Sequence, residues 1–377
     1  MTNRSDTISR TQLTALAFVG LLSPTVRRIP GQLSLEAGRA CWVSVLFAAV
    51  PLVIMALLYA ALRKRAGSLG GEELVLGALG AGAGRFVLGA TGLWLIFYCS
   101  YHLCTGADRF ISTIFPNMRP VFLILVMLAM CLIAALGEVR ALARSAMLFR
   151  PVLLLVLIVL AVFALPDVDF SELTPPFENG AVPAFRGVLQ LMNIASITFY
   201  LSFLEDHTQE SFSAGRFITW ALTYVMILLF LCIAVPGLLG LELTQNLAHP
   251  FFTIIRELTL FSSVERLEAI IIGLWVFPDF ILTSVLLKIA SKLLARALGL
   301  SAPKAEGERF FSLRGSRWLV WLCWALAGAG TLVIGGNSFR IMHLSKDLFP
   351  ALNFTFSLAL LPLCFFIWYV KSCRTSK

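Results

Sequence analysis

The long apolar runs of this sequence contain a few residues with polar or charged side chains. Packing alone does not explain why such side chains occur there. Asp279 stands deep in the run from Ala269 to Leu287, directly after Pro278. A charge at that depth in an apolar helix is costly and normally faces the interior of a helix bundle. We therefore predict that Asp279 belongs to a ligand or ion pathway, the alternative being a structural acid that is protonated or paired.

Two hydroxyl side chains follow Asp279 by one helical turn. Thr283 and Ser284 carry oxygen atoms of the kind that coordinate sodium in membrane transporters. Hydroxyl groups are also common in membrane helices, where they bond to neighbouring helices. The pair is therefore only a weak indication of a sodium site.

An earlier apolar run presents a polar and aromatic face. Trp94, Tyr98, His102 and Thr105 recur at helical spacing in the run from Phe86 to Ala107. Tyr98 and His102 are candidate ligand-binding residues. The alternative is a packing face on which the hydroxyl and imidazole groups bond to other helices.

Two further runs carry residues that could interrupt a helix. In the first, Gly20 to Thr25 contains Ser23 and Pro24, and proline removes a backbone donor and clashes with the preceding turn. In the second, Asn193 to Ser196 is polar but has no glycine or proline. If both helices are discontinuous, Gly20, Ser23, Pro24, Thr25, Asn193 and Ser196 would line a small-molecule site at the bilayer midplane. The alternatives are a simple proline kink and interhelical hydrogen bonds.

Other kinds of chemistry find no support in the sequence. There is no phosphate-binding loop, nucleophile elbow, zinc-protease motif or dinucleotide fingerprint, so we predict no catalytic residues and no cofactor. The eight cysteines include no CxxC pair and the four histidines stand alone, so we predict no metal site. The basic residues form short clusters beside apolar runs, which argues against a nucleic-acid partner despite a net charge of +9.

The elements that must position these residues are membrane-spanning helices. The 377 residues are 59% hydrophobic and 14% charged, with a mean hydropathy of +0.87. Crossing a bilayer takes about 20 apolar residues in a helix. Seven runs are uninterrupted: 40–62, 86–107, 120–137, 145–166, 217–241, 318–336 and 348–370. Three flawed runs, 11–26, 183–204 and 269–287, bring the predicted total to about ten spans in one domain, residues 1–377.

The charged loops predict the orientation. With an even number of spans, the loops on the side of the two termini hold about twice as many lysines and arginines as the others, which places both termini in the cytoplasm. Arg27 and Arg28 then cap the outer interface. Alternatively, if the first span continues to Arg39, they lie close to the site and could hold a carboxylate.

Several short motifs, in this order and spacing, resemble the B subunits of GerA-type spore-germination receptors, the spore permease family. The motifs are Ile8–Leu13, Pro30 to Trp42, Leu173–Gly180 with Arg186 and Gly187, Pro250–Arg256, Val264–Ala269, and Trp275. The resemblance extends over nearly the whole chain.

The resemblance implies an all-α membrane protein of the amino acid/polyamine/organocation superfamily. Its fold would be a LeuT-like five-plus-five inverted repeat, with repeats at about 11–166 and 182–370 and with discontinuous helices 1 and 6. It also implies A-type and C-type receptor subunits as partners in the spore inner membrane. The run Gly20 to Pro24 lacks the glycine-rich break of amino-acid transporters.

The expected function is therefore that of a sensing subunit, not of an enzyme. An amino acid or similar small germinant would bind in a permease-like pocket and bias a conformational equilibrium. The alternative is a proton- or sodium-coupled amino-acid transporter, with Asp279 or the pair Thr283 and Ser284 as coupling groups.

Overall fold

The computed structural model describes residues 7–114, 117–178, 180–208, 214–257, 267–300, 317–335, 341, 344 and 348–375. Within these ranges the protein is helical, with no β-structure beyond one bridge between Ile8 and Thr208. The α-helices are α1 (Arg10–Ala37), α2 (Cys41–Ala66), α3 (Gly71–Leu79), α4 (Ala81–Thr113), α5 (Pro120–Leu136), α6 (Val139–Ala164), α7 (Val182–Ala195), α8 (Ala214–Leu239), α9 (Leu241–Asn246), α10 (Pro250–Glu257), α11 (Leu267–Leu274), α12 (Val276–Ala297), α13 (Arg317–Gly335), α14 (Phe349–Asn353) and α15 (Leu361–Thr375). Residues 264–266 of the predicted family motifs lie outside the described ranges.

Eight helical stretches of the described residues are long and apolar enough to cross a membrane. The first, Arg10–Ala66, contains both α1 and α2, which are separated by a 3-10 turn at Gly38–Ala40. The shorter apolar helix α5 has 17 residues. The chain is therefore an integral membrane protein, as predicted, while the number of ten crossings stays a prediction.

The first span differs from the prediction, because α1 is continuous across Gly20, Ser23, Pro24 and Thr25. It begins with a capping box between Ser9 and Gln12 and ends at Gly38, whose φ of 56° is a left-handed conformation that glycine adopts readily. Every residue from Phe18 to Pro30 is buried. Packing on all sides therefore holds the helix together at Pro24, where the sequence predicts a break.

The sixth predicted span changes its helical form where its polar residues occur. α7 ends at Ala195 and continues as a 3-10 helix over Ser196–His207. A long 3-10 stretch is uncommon because its hydrogen bonds have poorer geometry. The predicted discontinuity thus takes the form of a tighter helix and not of an unwound segment.

The packing places α1 at the centre of the bundle, in contact with α6, α7, α8 and α12, while α12 lies along α4. We call the end of the bundle at which α1 starts the Arg10 end, and the opposite end the Arg39 end. The helix α10 packs against α1 and α8 at the Arg39 end. Peripheral helices such as α5 expose apolar side chains, for example Phe122 and Ile133, as expected for contact with lipid.

Candidate functional site

Five buried polar residues meet in the Arg39 half of the bundle, and we call them the Asp279 cluster: Ser23, Arg27, His102, Arg109 and Asp279. The Asp279 carboxylate lies 2.8 Å from Nη2 of Arg109, 3.0 Å from Nε2 of His102 and 3.6 Å from Nη1 of Arg27. It also accepts a hydrogen bond from the Ser23 hydroxyl. All five side chains are buried. Ions held this closely at this depth form one electrostatic unit.

Three helices position the cluster. Ser23 and Arg27 lie one turn apart on α1, and His102 and Arg109 lie two turns apart on α4. Asp279 lies in the first turn of α12, because the predicted span 269–287 consists of two helices, α11 and α12. The positive end of the α12 dipole therefore stabilises the Asp279 carboxylate together with the two guanidinium groups.

The hydrogen bonds determine which nitrogen of His102 carries its proton. Nη2 of Arg27 lies 3.0 Å from Nδ1 of His102. Since an arginine nitrogen can only donate, Nδ1 accepts and the proton of the neutral ring is on Nε2, facing Asp279. With His102 neutral, the cluster holds two guanidinium charges against one carboxylate and so has a net charge of +1.

Gly106 allows α4 to approach this carboxylate closely. A Cβ atom at Gly106 would lie 3.2 Å from Oδ2 of Asp279, closer than most real contacts of a Cβ atom. Gly106→Ala is therefore expected to displace the carboxylate and to lower the free energy of unfolding by about 1–2 kcal/mol.

Gly82 on the same helix provides the matched control for Gly106→Ala. A Cβ atom there would meet no atom within 4 Å. Gly82→Ala is expected to leave the protein as stable or to stabilise it by up to about 1 kcal/mol, because alanine favours a helix. Thermal unfolding in detergent measures both variants. Equal effects of the two substitutions would contradict the close approach of α4 to Asp279.

The structure brings together three of the sequence-predicted site residues, Ser23, His102 and Asp279. Thr25 faces the other side of α1, where its hydroxyl lies 2.9 Å from that of Tyr224 on α8. Tyr98 is buried one turn before His102, with its ring centroid 4.7 Å from that of Phe349. Their predicted role in ligand binding stays a prediction.

Asn193 and Ser196 lie away from the cluster and bond to the C-terminal part of the chain. The side-chain amide of Asn353 donates to Oδ1 of Asn193 at 2.8 Å, and the Ser196 hydroxyl lies 2.6 Å from that of Ser357. These are the interhelical hydrogen bonds that the sequence offered as the alternative to a ligand site.

The predicted hydroxyl pair bonds within its own helix. Thr283 donates to the backbone oxygen of Asp279 at 2.8 Å, and Ser284 donates to that of Phe280 at 2.7 Å. Among the described residues, no three histidine, cysteine or acidic side chains are grouped as a metal site would need.

Two arginines of the cluster were not among the main site residues predicted from the sequence. Arg27 appeared there as a site residue only if the first span continued past its proline, and α1 does continue to Ala37. Arg109 lies two residues beyond the predicted run from Phe86 to Ala107, where it would belong to a loop, but α4 extends to Thr113 and buries it completely. The available signal was that Arg109 lies two turns after His102, so that both occupy the same helix face.

A narrow apolar cavity adjoins the cluster. It lies between α1, the 3-10 helix Ser196–His207 and α12. Gly20 and Leu282 line it, one turn from Ser23 and Asp279 respectively. Among the described lining residues only Thr198 and Tyr200 offer side-chain hydroxyl groups. The lining of the cavity is therefore almost entirely apolar and comes within one helical turn of the Asp279 cluster.

The helix α10 covers the cluster at the Arg39 end. The buried ring of Phe252 lies 5.0 Å from the guanidinium carbon of Arg109. His249, just before α10, lies 3.2 Å from Asp108. Burial lowers the pKa of His249 below its usual value, although the Asp108 carboxylate opposes that shift. The cover is thus apolar where it meets the cluster and polar at its rim.

A second ionic group, the Glu205 cluster, lies at the Arg10 end and comprises Arg10, Tyr59, Arg63, Glu205 and Thr208. The Glu205 carboxylate pairs with Arg10, lies 3.5 Å from Arg63, and accepts from Tyr59 at 3.0 Å and from Thr208 at 3.1 Å. It therefore ties the start of α1 to α2 and to the end of the 3-10 helix.

A neighbouring carboxylate pair lies at the same end. Nζ of Lys292 lies 2.9 Å from both Glu72 and Asp206, which links α12 to α3 and to the 3-10 helix. Burial raises the pKa of Glu72 above its usual range, although the Lys292 ammonium opposes that shift. Ionic contacts thus close the Arg10 end.

Solved transporters share this architecture. The chain is similar to a substrate-bound, outward-open Na⁺-coupled sialic acid symporter, with a TM-score of 0.62 at 12% identity over 93% of this chain and 79% of that chain. It is similar to MhsT in complex with L-phenylalanine, with a TM-score of 0.56 at 14% identity over 98% and 100% of the two chains. It is also similar to Mhp1, a nucleobase-cation-symport-1 family transporter in a closed conformation with bromovinylhydantoin bound, with a TM-score of 0.57 at 13% identity over 97% and 79%.

These similarities confirm the predicted LeuT-like transporter fold, which is the fold of permeases and not of enzymes. No curated protein sequence matches the chain. The sequence profile of a family described as "Spore germination protein" matches residues 7–311, most of the chain. The chain therefore belongs to the spore permease family of spore germination proteins.

Proposed function

We propose that this chain is the germinant-sensing membrane subunit of a spore-germination receptor and that it binds an amino acid or a similar small zwitterion. The observation that carries the proposal is the net positive Asp279 cluster beside an apolar cavity. Buried charges are stable only when they are paired. A ligand carboxylate would supply the counter-charge that the described cluster lacks.

The cluster also has free hydrogen-bond donors for such a ligand. The Nε–H groups of Arg27 and Arg109 are buried and have no acceptor among the described residues. A carboxylate is the acceptor that guanidinium donors bind most strongly. The ligand's side chain would then occupy the apolar cavity beside Gly20 and Leu282. This placement keeps the predicted roles of Ser23, His102 and Asp279, and it replaces an unwound helix by arginine side chains as the carboxylate binder.

In such a receptor, A-type and C-type subunits would transmit the conformational change in the spore inner membrane. This chain would consist of two five-helix repeats, at about 11–166 and 182–370. The charge distribution of the loops supports cytoplasmic termini, which makes the Arg10 end the cytoplasmic end. The exposed apolar faces of α5 and α6 provide lipid contacts.

Germination assays with amino acids and their amides test this function. Spores carrying Arg27→Gln are expected to need an amino-acid concentration higher by about a hundredfold, because a buried charge pair with the ligand is worth 2–5 kcal/mol. Their response to the corresponding amino-acid amides should change far less, since an amide has no carboxylate.

Arg39→Gln is the matched control for Arg27→Gln, because Arg39 forms a partly exposed pair with Glu178. It should germinate as the wild type does, with receptor abundance checked by blot. Equal losses for acids and amides in Arg27→Gln would remove the support for a carboxylate ligand.

An amino-acid symporter is the second candidate, favoured by the likeness to solved symporters. The purified chain in liposomes should then accumulate labelled amino acid under a proton or sodium gradient. Binding without accumulation would support sensing, and accumulation that depends on the gradient would support transport.

A further inference from the structure

A buried carboxyl group at the Arg10 end has one oxygen atom without a partner. Glu72 lies in the first turn of α3 and is only 4% exposed. Its Oε1 atom lies 2.9 Å from Nζ of Lys292, whereas its Oε2 atom is buried and has no hydrogen-bond partner among the described residues. An ionised oxygen in that position is costly, and a bound proton removes the charge. The contacts of Glu72 therefore favour a protonated carboxyl group.

The Lys292 ammonium does not offer a further hydrogen to this oxygen. An ammonium group has three N–H donors. They point to the Phe203 carbonyl at 2.6 Å, the Asp206 carboxylate at 2.9 Å and Oε1 of Glu72 at 2.9 Å. One ammonium group carries a single positive charge, so Lys292 cannot balance two carboxylates by itself.

Asp206 brings a second negative charge close to Glu72. An oxygen atom of each carboxyl group lies 2.9 Å from the same Lys292 nitrogen. When two carboxylates share one buried site, the charge of one favours a proton on the other. Burial raises the pKa of Glu72 above its usual range; the Lys292 ammonium opposes that shift, and the Asp206 carboxylate adds to it.

Other charged groups around α3 bind elsewhere. Arg63 donates to the backbone before α3 starts, and Lys371 donates to the backbone at the other end of α3. Arg85 of α4 lies beside the end of α12. His207 lies 4.0 Å from the second carboxylate, and the next residue along α3, Glu73, is acidic. The described contacts thus place one cation, the lysine ammonium, on this carboxyl group.

The packing of α3 keeps Glu72 out of water. A Cβ atom at Gly71 would lie 2.6 Å from Oγ of Ser202 on the 3-10 helix, closer than real Cβ atoms come. The Ser202 hydroxyl at this contact is itself buried and has no partner among the described residues. The start of α3 thus fits tightly on the 3-10 helix, so Glu72 meets water when the two separate.

We propose that Glu72 is a proton-binding site, protonated while the Arg10 end is closed and ionised when α3 separates from the 3-10 helix. On opening, the proton leaves the carboxyl group for water, and the carboxylate that remains is solvated. The closed end therefore binds one proton more than the open end, so a lower pH favours closure and a higher pH favours opening. The effect acts between the ordinary pKa of a solvated glutamate, about 4.3, and the higher pKa of the buried group. This site does not depend on the proposed germinant function.

Infrared spectroscopy of the full chain in nanodiscs tests for the proton directly. A protonated carboxyl group has a C=O stretching band that a carboxylate lacks. The wild type is expected to keep such a band at pH values at which a solvated glutamate, with a pKa of about 4.3, is already ionised. Glu72→Gln should remove this band. Glu73→Gln is the matched control, because it removes the adjacent carboxyl group, and it should leave the band in place.

Two further measurements link the proton to its surroundings. Asp206→Asn removes the neighbouring negative charge, so the band should disappear at a lower pH than in the wild type. This variant keeps the test valid even if Glu72→Gln fails to fold. Amide hydrogen exchange at the start of α3, corrected for the intrinsic rate, measures opening. Its protection should fall by up to about tenfold per pH unit within the stated range, and Glu72→Gln should abolish this dependence.

The opposite results would overturn the proposal. A band that Glu72→Gln leaves intact, or one that only Asp206→Asn removes, would show that Glu72 does not carry the proton. Protection of α3 that is independent of pH in the wild type would show that opening releases no proton.

Discussion

Asp279→Asn is expected to lower the free energy of unfolding by about 3 kcal/mol and to abolish the response to germinant. The asparagine keeps the shape of the side chain but leaves the guanidinium groups of Arg27 and Arg109 without a counter-charge. Breaking a buried ion pair from one side is costly because the remaining charge stays desolvated. Reversible unfolding in bicelles measures the loss.

A second substitution shows whether the unbalanced charge causes the loss of stability in Asp279→Asn. Asp279→Asn raises the net charge of the cluster from +1 to +2, whereas adding Arg109→Gln returns it to +1. The double variant is therefore expected to be more stable than Asp279→Asn alone. If the two losses simply add, the residues are not electrostatically coupled and the cluster does not act as a unit.

Glu205→Gln is expected to open the Arg10 end. The buried carboxylate holds Arg10, Arg63 and Tyr59 in place, and the amide cannot balance the two guanidinium charges. Amide hydrogen exchange in residues 8–14 should accelerate by about a hundredfold, because local opening of this end then costs less free energy.

The control for Glu205→Gln is Glu178→Gln, which removes a partly exposed pair with Arg39 at 3.0 Å. Exposed pairs contribute about 0–1 kcal/mol, so exchange at the Arg39 end should stay close to that of the wild type. Equal acceleration by both variants, or none by Glu205→Gln, would show that the Glu205 cluster does not close this end.

Much of the architecture could be predicted from the sequence, because long apolar runs admit only helices in a bilayer. Asp279 and His102 could also be predicted as site residues, because a buried charge or a polar helix face needs a partner. The burial of their partners could not be predicted in this way. Arg27 and Arg109 lie near the ends of apolar runs, where arginine is usually an interface residue. Only the lengths of α1 and α4 show that both are buried.

The polar residues of the sixth span were candidate ligand-binding residues, but in the structure they bond to another part of the chain. Asn193 and Ser196 have the chemistry of ligand-binding residues, but their hydrogen bonds go to Asn353 and Ser357, which lie far away in the sequence. Local sequence indicates that such side chains need partners in a membrane. It cannot indicate whether the partner is a ligand or another helix.

The continuity of α1 has a mechanical consequence. Arg10 belongs to the Glu205 cluster and Arg27 to the Asp279 cluster, and an unbroken helix of 17 steps, about 25 Å, joins them. Because α1 is continuous through Pro24, a movement of the helix at the Asp279 cluster would displace its start at the Glu205 cluster. Transporters with a broken first helix can move its halves separately, whereas a continuous α1 would couple the two ends of the bundle through a single helix.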